Sequence, residues 1–374
     1  MFSRILWVVS TCCFGLFCHL PDYAYAVGKA SEPTSLAEMR QALTVLQENS
    51  SRWEGPRSGP PGRTGAVVAI VCEDLRNGGV LGVTMGIREA SKVIGWNTRI
   101  YDAGGTPEGR DKAIDAAVAL QPEGMIIVGA DAHALSKQLD QVAKLGIPMM
   151  GWHVAPKAGA IPGLPIAMNV STDPLEVSRI TAMAAISDLR GQGGVVIITD
   201  SNFEIAMTKA NAMAAIISSC LDCTLLEIRD VAISRAADVM PSVTRELLAR
   251  YGMRWTQTLA INDIYFDYAV PELIKAGRPS GSISLLSAGD GSAAAFLRIR
   301  AGTYQTATVA EPFNLQGWQL VDELNRLMAG EPVTGYIIPV HLLTKTNIIS
   351  DGSPRMFYDP DNGYRDIYRQ IWKR

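Results

Sequence analysis

The sequence predicts an α/β fold of two Rossmann-like lobes, each built on a parallel sheet. Three observations predict it. Short continuous apolar runs recur, such as Val67-Val68-Ala69-Ile70-Val71 and Val195-Val196-Ile197-Ile198, and runs of that kind suit strands buried on both faces of a parallel sheet. Segments of helical period separate them, so strand and helix alternate as βαβ units. The alternation runs from residue 66 to 152 and restarts near 175, so one layout occurs twice.

The first 26 residues read as a cleaved secretory signal. Arg4 precedes an apolar run from Ile5 to Phe17, Pro21 breaks it, and Ala24-Tyr25-Ala26 fits small-x-small cleavage. The run is short for a bilayer, which takes about 20 apolar residues. Residues 27–64 read as an N-terminal helix and linker. Leu36, Met39, Leu43 and Leu46 place a helix over 35–48, and Gly55-Pro56 with Gly59-Pro60-Pro61-Gly62 marks the linker.

The first strand spans 66–71. Asn77-Gly78-Gly79 feeds a helix with Val83, Ile87, Ala90 and Ile94 on one face, and Gly95 closes it. A strand follows at 97–101. Thr106-Pro107 opens a helix to about 120, with proline in the first turn, where its missing N–H is harmless. Strand 124–128, helix 134–145 and strand 148–152 complete the first run. The second run has helices at 175–189, 204–219, 239–251, 265–276, 292–301 and 315–329. Its strands are at 195–199, 224–228, 258–261, 284–287, 306–310 and 337–343, and a last helix covers 365–372. Ligands of such sheets sit at the carboxyl ends of the strands, so the cleft between the lobes is where a site belongs.

Composition narrows the function. The 374-residue chain is 48 % apolar and 19 % charged, with a net charge of −3. That is a globular balance without the basic excess that nucleic acid demands. Beyond the signal only Cys72, Cys220 and Cys223 remain, too few for a disulfide scaffold. An exported α/β protein also leaves cytoplasmic ATP and NAD behind, which turns the expectation from cofactor enzyme to binding protein.

Four stretches carry a resemblance: Val67 to Val71; Asn77-Gly78-Gly79-Val80-Leu81-Gly82-Val83; Ala260-Ile261-Asn262-Asp263; and Leu286-Ser287-Ala288-Gly289-Asp290-Gly291. Over about residues 65–344 the chain resembles the sugar-binding type I periplasmic binding proteins, receptors of ABC importers typified by the ribose-binding protein. The resemblance implies two lobes joined by three crossover segments, near 169–172, 310–312 and 338–341. It implies lobe 1 over 65–170 plus 311–338, lobe 2 over 171–310 plus 339–349, and a tail at 350–374 with a short helix. Pentose-binding members carry aromatic residues after the first-loop Asn, where Gly78 and Gly79 stand here. They carry an Asp-Arg pair where His153-Val154 follows Trp152. They carry an early-helix Arg where Met207 and Lys209 are nearest.

The candidate ligand contacts lie just past strands. Asp74 and Asn77 follow the first strand, and Asn262, Asp263 and Asp290 follow strands of the second run. A carboxylate accepts two hydroxyls and an amide both donates and accepts, which suits sugars. Helix capping is the alternative, especially for Asp263. Trp152 and His153 end the fourth strand; strand alternation allows one of them to face the ligand, and register favours His153. Phe203 and Glu204 begin a helix after Asp200-Ser201-Asn202, where capping by Asp200 or Asn202 is the alternative. Glu311, before Pro312, faces the cleft or the hinge surface.

Other motifs carry less. Asn77-Gly78-Gly79-Val80-Leu81-Gly82, with Asp102 downstream, imitates a dinucleotide fingerprint but lacks its first glycine. Cys220-Leu221-Asp222-Cys223 ends a helix, where the dipole opposes a thiolate, so a structural disulfide is expected. The histidines show no metal spacing, and no G-x-S-x-G is present. The expectation is a periplasmic, monomeric receptor, not an enzyme. It takes a small polar ligand, most simply a sugar, and passes it to an ABC permease. It needs no cofactor or metal, binds no nucleic acid and has no stable membrane insertion. The alternatives are an exported oxidoreductase or hydrolase, or a receptor serving a membrane sensor kinase.

Overall fold

Apolar alternation decides where each strand packs. In the computed structural model, which describes residues 35–48, 52–189, 193–352 and 356–373, Val68, Ile70 and Cys72 of the first strand enter one core cluster, and Ala69 and Val71 enter another on the opposite face. A strand buried on both faces has no polar side to show, which is why the run reads as continuously apolar. The expected signal over 1–26 lies outside the described residues.

The chain begins with α1 (Leu36–Val45), opened by a capping box in which Ser35 Oγ accepts from Glu38 N and the Glu38 carboxylate accepts from Ser35 N. The first lobe follows as β1 (Val67–Cys72), α2 (Gly78–Ile94), β2 (Asn97–Asp102), α3 (Pro107–Ala119), β3 (Gly124–Val128), α4 (Ser136–Lys144), β4 (Met149–Trp152), β5 (Gly159–Ala160) and β6 (Ile166–Val170). Its sheet has the order β2-β1-β3-β4-β6-β5. The chain then builds α5 (Pro174–Ser187), β7 (Gly193–Thr199), α6 (Glu204–Ser219), β8 (Cys223–Asp230), α7 (Ala236–Tyr251), β9 (Gln257–Ala260), α8 (Ile264–Lys275), β10 (Ser284–Ser287), α9 (Ala293–Ala301) and β11 (Gln305–Ala310). After β11 it returns to the first lobe as α10 (Phe313–Met328), whose Trp318 and Leu324 join that lobe's core. It crosses back to pair β12 (His341–Thr344) with β11, giving the second sheet the order β12-β11-β10-β9-β7-β8. The short α11 (Ile348–Gly352) and the terminal α12 (Tyr364–Trp372) follow.

Both sheets are parallel except at one edge. β5 runs antiparallel to β6, and β12 antiparallel to β11, a departure from wholly parallel sheets. Each is the product of a chain that doubles back, and residue content alone does not encode strand direction.

Two peripheral segments are structural. Leu43 of α1 enters the second lobe's core, and Leu46 O accepts from Leu342 N of β12 at 3.0 Å. Trp53 packs in the first lobe on Tyr336 and Tyr368, with ring centroids at 5.5 and 5.4 Å. In α12, Trp372 stacks on Trp318 at 5.3 Å and donates from Nε1 to buried Asp322 at 2.9 Å. Cys220 and Cys223 form a disulfide at the end of α6, and Cys72 is free and buried. Burial pushes the Cys72 thiol up to about 11. Among the described residues, no helix is long and apolar enough to cross a membrane.

Candidate functional site

The carboxyl ends of both sets of parallel strands face one cleft, and there the lobes enclose a cavity of about 260 Å³. Lobe 1 contributes Glu73, Asp74, Asn77, Arg110, Trp152 and His153. Lobe 2 contributes Asp200, Asn202, Phe203, Lys209, Asn262 and Asp290.

On the first side, the β1 strand end supplies Glu73, and α3 reaches in with Arg110. The guanidinium grips Glu73 in a fork of 2.7 and 2.6 Å, the bidentate geometry that suits arginine to carboxylate. Burial still raises the Glu73 carboxyl from its ordinary value, against the pull of Arg110. Asp74 is gripped likewise by Arg76, at 2.9 and 2.7 Å. Asn77 is the N-cap of α2, its Oδ1 accepting from Gly79 N at 2.9 Å.

Trp152 and His153 both line the wall. β4 stops at Trp152, and His153 takes a left-handed φ of 52°, so simple strand alternation does not extend to it. Its ring stacks on the indole, with centroids 3.8 Å apart and planes within 7°. Behind them lies Glu311. It accepts from Thr172 Oγ1 at 2.7 Å and from Gln316 Nε2 at 2.6 Å, and sits 3.3 Å from His153 Nε2. Gln316 in turn accepts from Trp152 Nε1 at 2.9 Å. Burial opposes the Glu311 charge, but His153, Lys209 and Thr172 outweigh it and hold the carboxyl at about 2. Glu311 lies beneath the aromatic pair, outside the cavity lining.

The second side is built on Asn262 and Asp290. Asn262 Nδ2 donates to Asp290 Oδ2 at 2.7 Å, while its Oδ1 accepts from Ile264 N at 3.0 Å. Burial pushes Asp290 up to about 6, although the charges of His153 and Lys209 pull it down. Asp263, the neighbour of Asn262, turns away from the cavity. Its carboxylate accepts from Gly291 N at 2.7 Å, Ser292 N at 3.2 Å and Gln305 Nε2 at 2.6 Å. It organises the loop that carries Asp290, and burial raises its own carboxyl.

The lobes touch around the cavity. A Cβ placed on Gly79 of α2 would stand 2.2 Å from Asp290 Oδ2, and one on Gly105 would stand 2.6 Å from Ser234 Cβ. The small residues at 78 and 79 thus leave room for the other lobe. Phe203 lines the cavity, but Glu204 lies at the rim. There Glu204 Oε2 sits 2.8 Å from His133 Nδ1 of lobe 1.

Several lining groups fall outside the sequence-predicted set. Arg110 and Lys209 reach in from helices, and Lys209 Nζ donates to Ala288 O at 2.7 Å. Its signal is a lysine on the apolar stripe that also holds Ala206, Ala210 and Met213. Asp200 and Asn202 have the look of helix caps, but they bond to each other and leave α6 without a cap of its own. The arrangement offers carboxylates, amides and aromatic faces to a polar ligand. Among the described residues no group of three or more His, Cys, Asp or Glu side chains could hold a metal ion.

Solved structures share this architecture. An ABC sugar transporter subunit from Rhodobacter sphaeroides 2.4.1 is 20 % identical, with TM-score 0.65 over 76 % of this chain and 99 % of that one. An ABC transporter solute-binding protein from Agrobacterium vitis, solved with bound allitol, is 18 % identical, with TM-score 0.64 over 76 % and 97 %. One from Mycobacterium smegmatis, solved with bound glycerol, is 16 % identical, with TM-score 0.68 over 79 % and 99 %. No curated protein matches the chain in sequence. The model of the periplasmic binding protein domain matches residues 68–332, a span that runs from β1 through α10 and takes in every cavity-lining side chain named above. Two α/β lobes closed on one cavity, with that match across them, make the chain a member of the periplasmic binding protein domain family, a family of solute-binding proteins.

Proposed function

We propose that this chain is an exported receptor that captures one small carbohydrate or polyol between its lobes and delivers it, unchanged, to an ABC importer. One observation carries the reading: carboxylates and amides from strand ends of both lobes converge on one cavity of about 260 Å³, a small volume for a ligand pocket. The allitol and glycerol bound by the structural neighbours agree with a polyhydroxy ligand. The signal-like first 26 residues support a periplasmic location, and an ABC permease is the partner such a receptor serves.

The passages between β6 and α5, between β11 and α10, and into β12 form the hinge. In the open form the polar groups of each lobe face water. Closing brings Asn262 and Asp290 of lobe 2 against Trp152, His153 and Asn77 of lobe 1. Sugar hydroxyls then replace water as partners, and the Trp152–His153 stack covers an apolar ring face. A thermal-shift screen of sugars and polyols tests this. A ligand at 100 times its Kd adds about 2.7 kcal/mol, so a true ligand raises Tm by several degrees. No shift across the screen, or steady turnover of any binder, overturns the reading.

A further inference from the structure

The charged groups of the cavity do not balance, and the imbalance has a location. Four carboxyl side chains line the cavity, those of Glu73, Asp74, Asp200 and Asp290, against the basic side chains of Arg110 and Lys209. Arg110 is forked onto Glu73, and Arg76 reaches Asp74 from outside the lining. Lys209 Nζ donates to Ala288 O, two residues before Asp290. Among the described residues Asp200 receives no hydrogen bond from a cationic side chain, although its charge acts on Arg110. Its hydrogen bonds there come from neutral donors: Asn202 N at 2.9 Å, Asn202 Nδ2 at 2.7 Å and Ile233 N at 2.7 Å. It is 1 % exposed. The first two bonds fall on Oδ1 and the third on Oδ2, so Oδ2 keeps an acceptor site.

A buried carboxylate held only by neutral donors is costly, and a cation beside it relieves the cost. Asp200 shares its end of the cavity with Glu73 and Asp74. After burial and the answering pull of Arg110, the charges of Asp74 and Asp200 are what raise the Glu73 carboxyl. An anion entering this end would meet three carboxylates, and Glu73 already holds Arg110.

We propose that the ligand carries a protonated nitrogen that pairs with Asp200, and that the cavity excludes sugar acids and phosphates. The proposal rests on the carbohydrate-receptor reading and specifies its ligand as an amino sugar or related amine.

Calorimetry on the full mature chain at pH 7 tests it. The probes are glucose, galactose and mannose, their 2-amino and uronate counterparts, and putrescine as an amine that is not a sugar. An amino hexose should bind at least tenfold more tightly than its parent, and the uronates more weakly than either. Asp200→Asn should abolish the amino hexose's advantage over its parent. A parent hexose that matches its amino counterpart overturns the proposal and leaves the receptor reading intact. Amine preference unchanged in Asp200→Asn also overturns it. Putrescine binding with every sugar silent supports the charge and overturns the carbohydrate reading. Silence from all probes overturns both.

Discussion

Asp131 of lobe 1 caps a helix of lobe 2. Its Oδ1 accepts from His133 N and Ala134 N at 3.0 Å each, within its own lobe, and its Oδ2 accepts from Glu204 N across the cleft at 3.0 Å. Phe203, the N-cap of α6, offers no side-chain bond of its own. Glu204 N, in the first turn of α6, therefore has this acceptor only when the lobes are together.

Asp131→Asn should weaken ligand binding without touching the ligand. The amide keeps one oxygen for the turn in lobe 1 and presents a donor where Glu204 N needs an acceptor. A lost N-cap costs about 0.5–2 kcal/mol, so affinity should fall by roughly twofold to thirtyfold at 1.4 kcal/mol per factor of ten. The ligand-free Tm should barely move, because the open form never had the bond. Calorimetry and a melting curve on the same sample decide it, and a large loss of ligand-free stability would place Asp131 in the fold instead.

Gly79→Ala should leave α2 intact and hinder closure. Alanine is about 1 kcal/mol better than glycine inside a helix, yet its Cβ would stand 2.2 Å from Asp290 Oδ2. Affinity should drop tenfold or more while the ligand-free protein melts no earlier. Small-angle scattering should show the variant still extended at ligand concentrations that compact the parent.

Asp290 links binding to pH. Its carboxyl is raised to about 6 from 3.8. The folded chain therefore holds this proton more tightly than the unfolded chain, and the group's contribution to stability falls as pH rises from about 4 to 6. Asp290→Asn should flatten that part of the profile in the closed form. Ligand affinity in the parent should rise between pH 5 and 7, as the carboxylate forms. Melting curves across this range that show no difference between parent and variant would remove Asp290 from the account.

The thiols give a chemical check on the cell compartment. Unfolded without reductant, the exported chain should take one alkyl label, at Cys72, and two more after reduction, at Cys220 and Cys223. Mass spectrometry reads this directly. Three labels before reduction would contradict the bridge.

The order of elements was legible because each apolar run and helical stripe is complete in itself: helix 204–219 and strands 124–128 and 284–287 coincide with the observed bounds. The β5–β6 hairpin was not legible. Gly159-Ala160 is too short for a pattern, and β6 holds Asn169, whose amide serves the preceding loop. Strand ends pointed to the cleft, so Asn262 and Asp290 could be read as neighbours of one site. Asp263 could not be separated from them, since its direction is set by Gly291, Ser292 and Gln305, far along the chain. Arg110 and Lys209 lie on helices, and Asp131 caps a helix in another lobe. Such pairings exist only in three dimensions.

The most direct test is a calorimetric titration of the parent and of Asp290→Ala with the ligand that the screen selects, followed by mass spectrometry of the recovered ligand. Removing a partner from a buried polar contact costs about 1–3 kcal/mol, and more for a charge. The account predicts one site, a ligand recovered unchanged, and affinity tenfold to a hundredfold weaker in a variant that remains folded. Equal affinity in Asp290→Ala, or a chemically altered ligand, would contradict it.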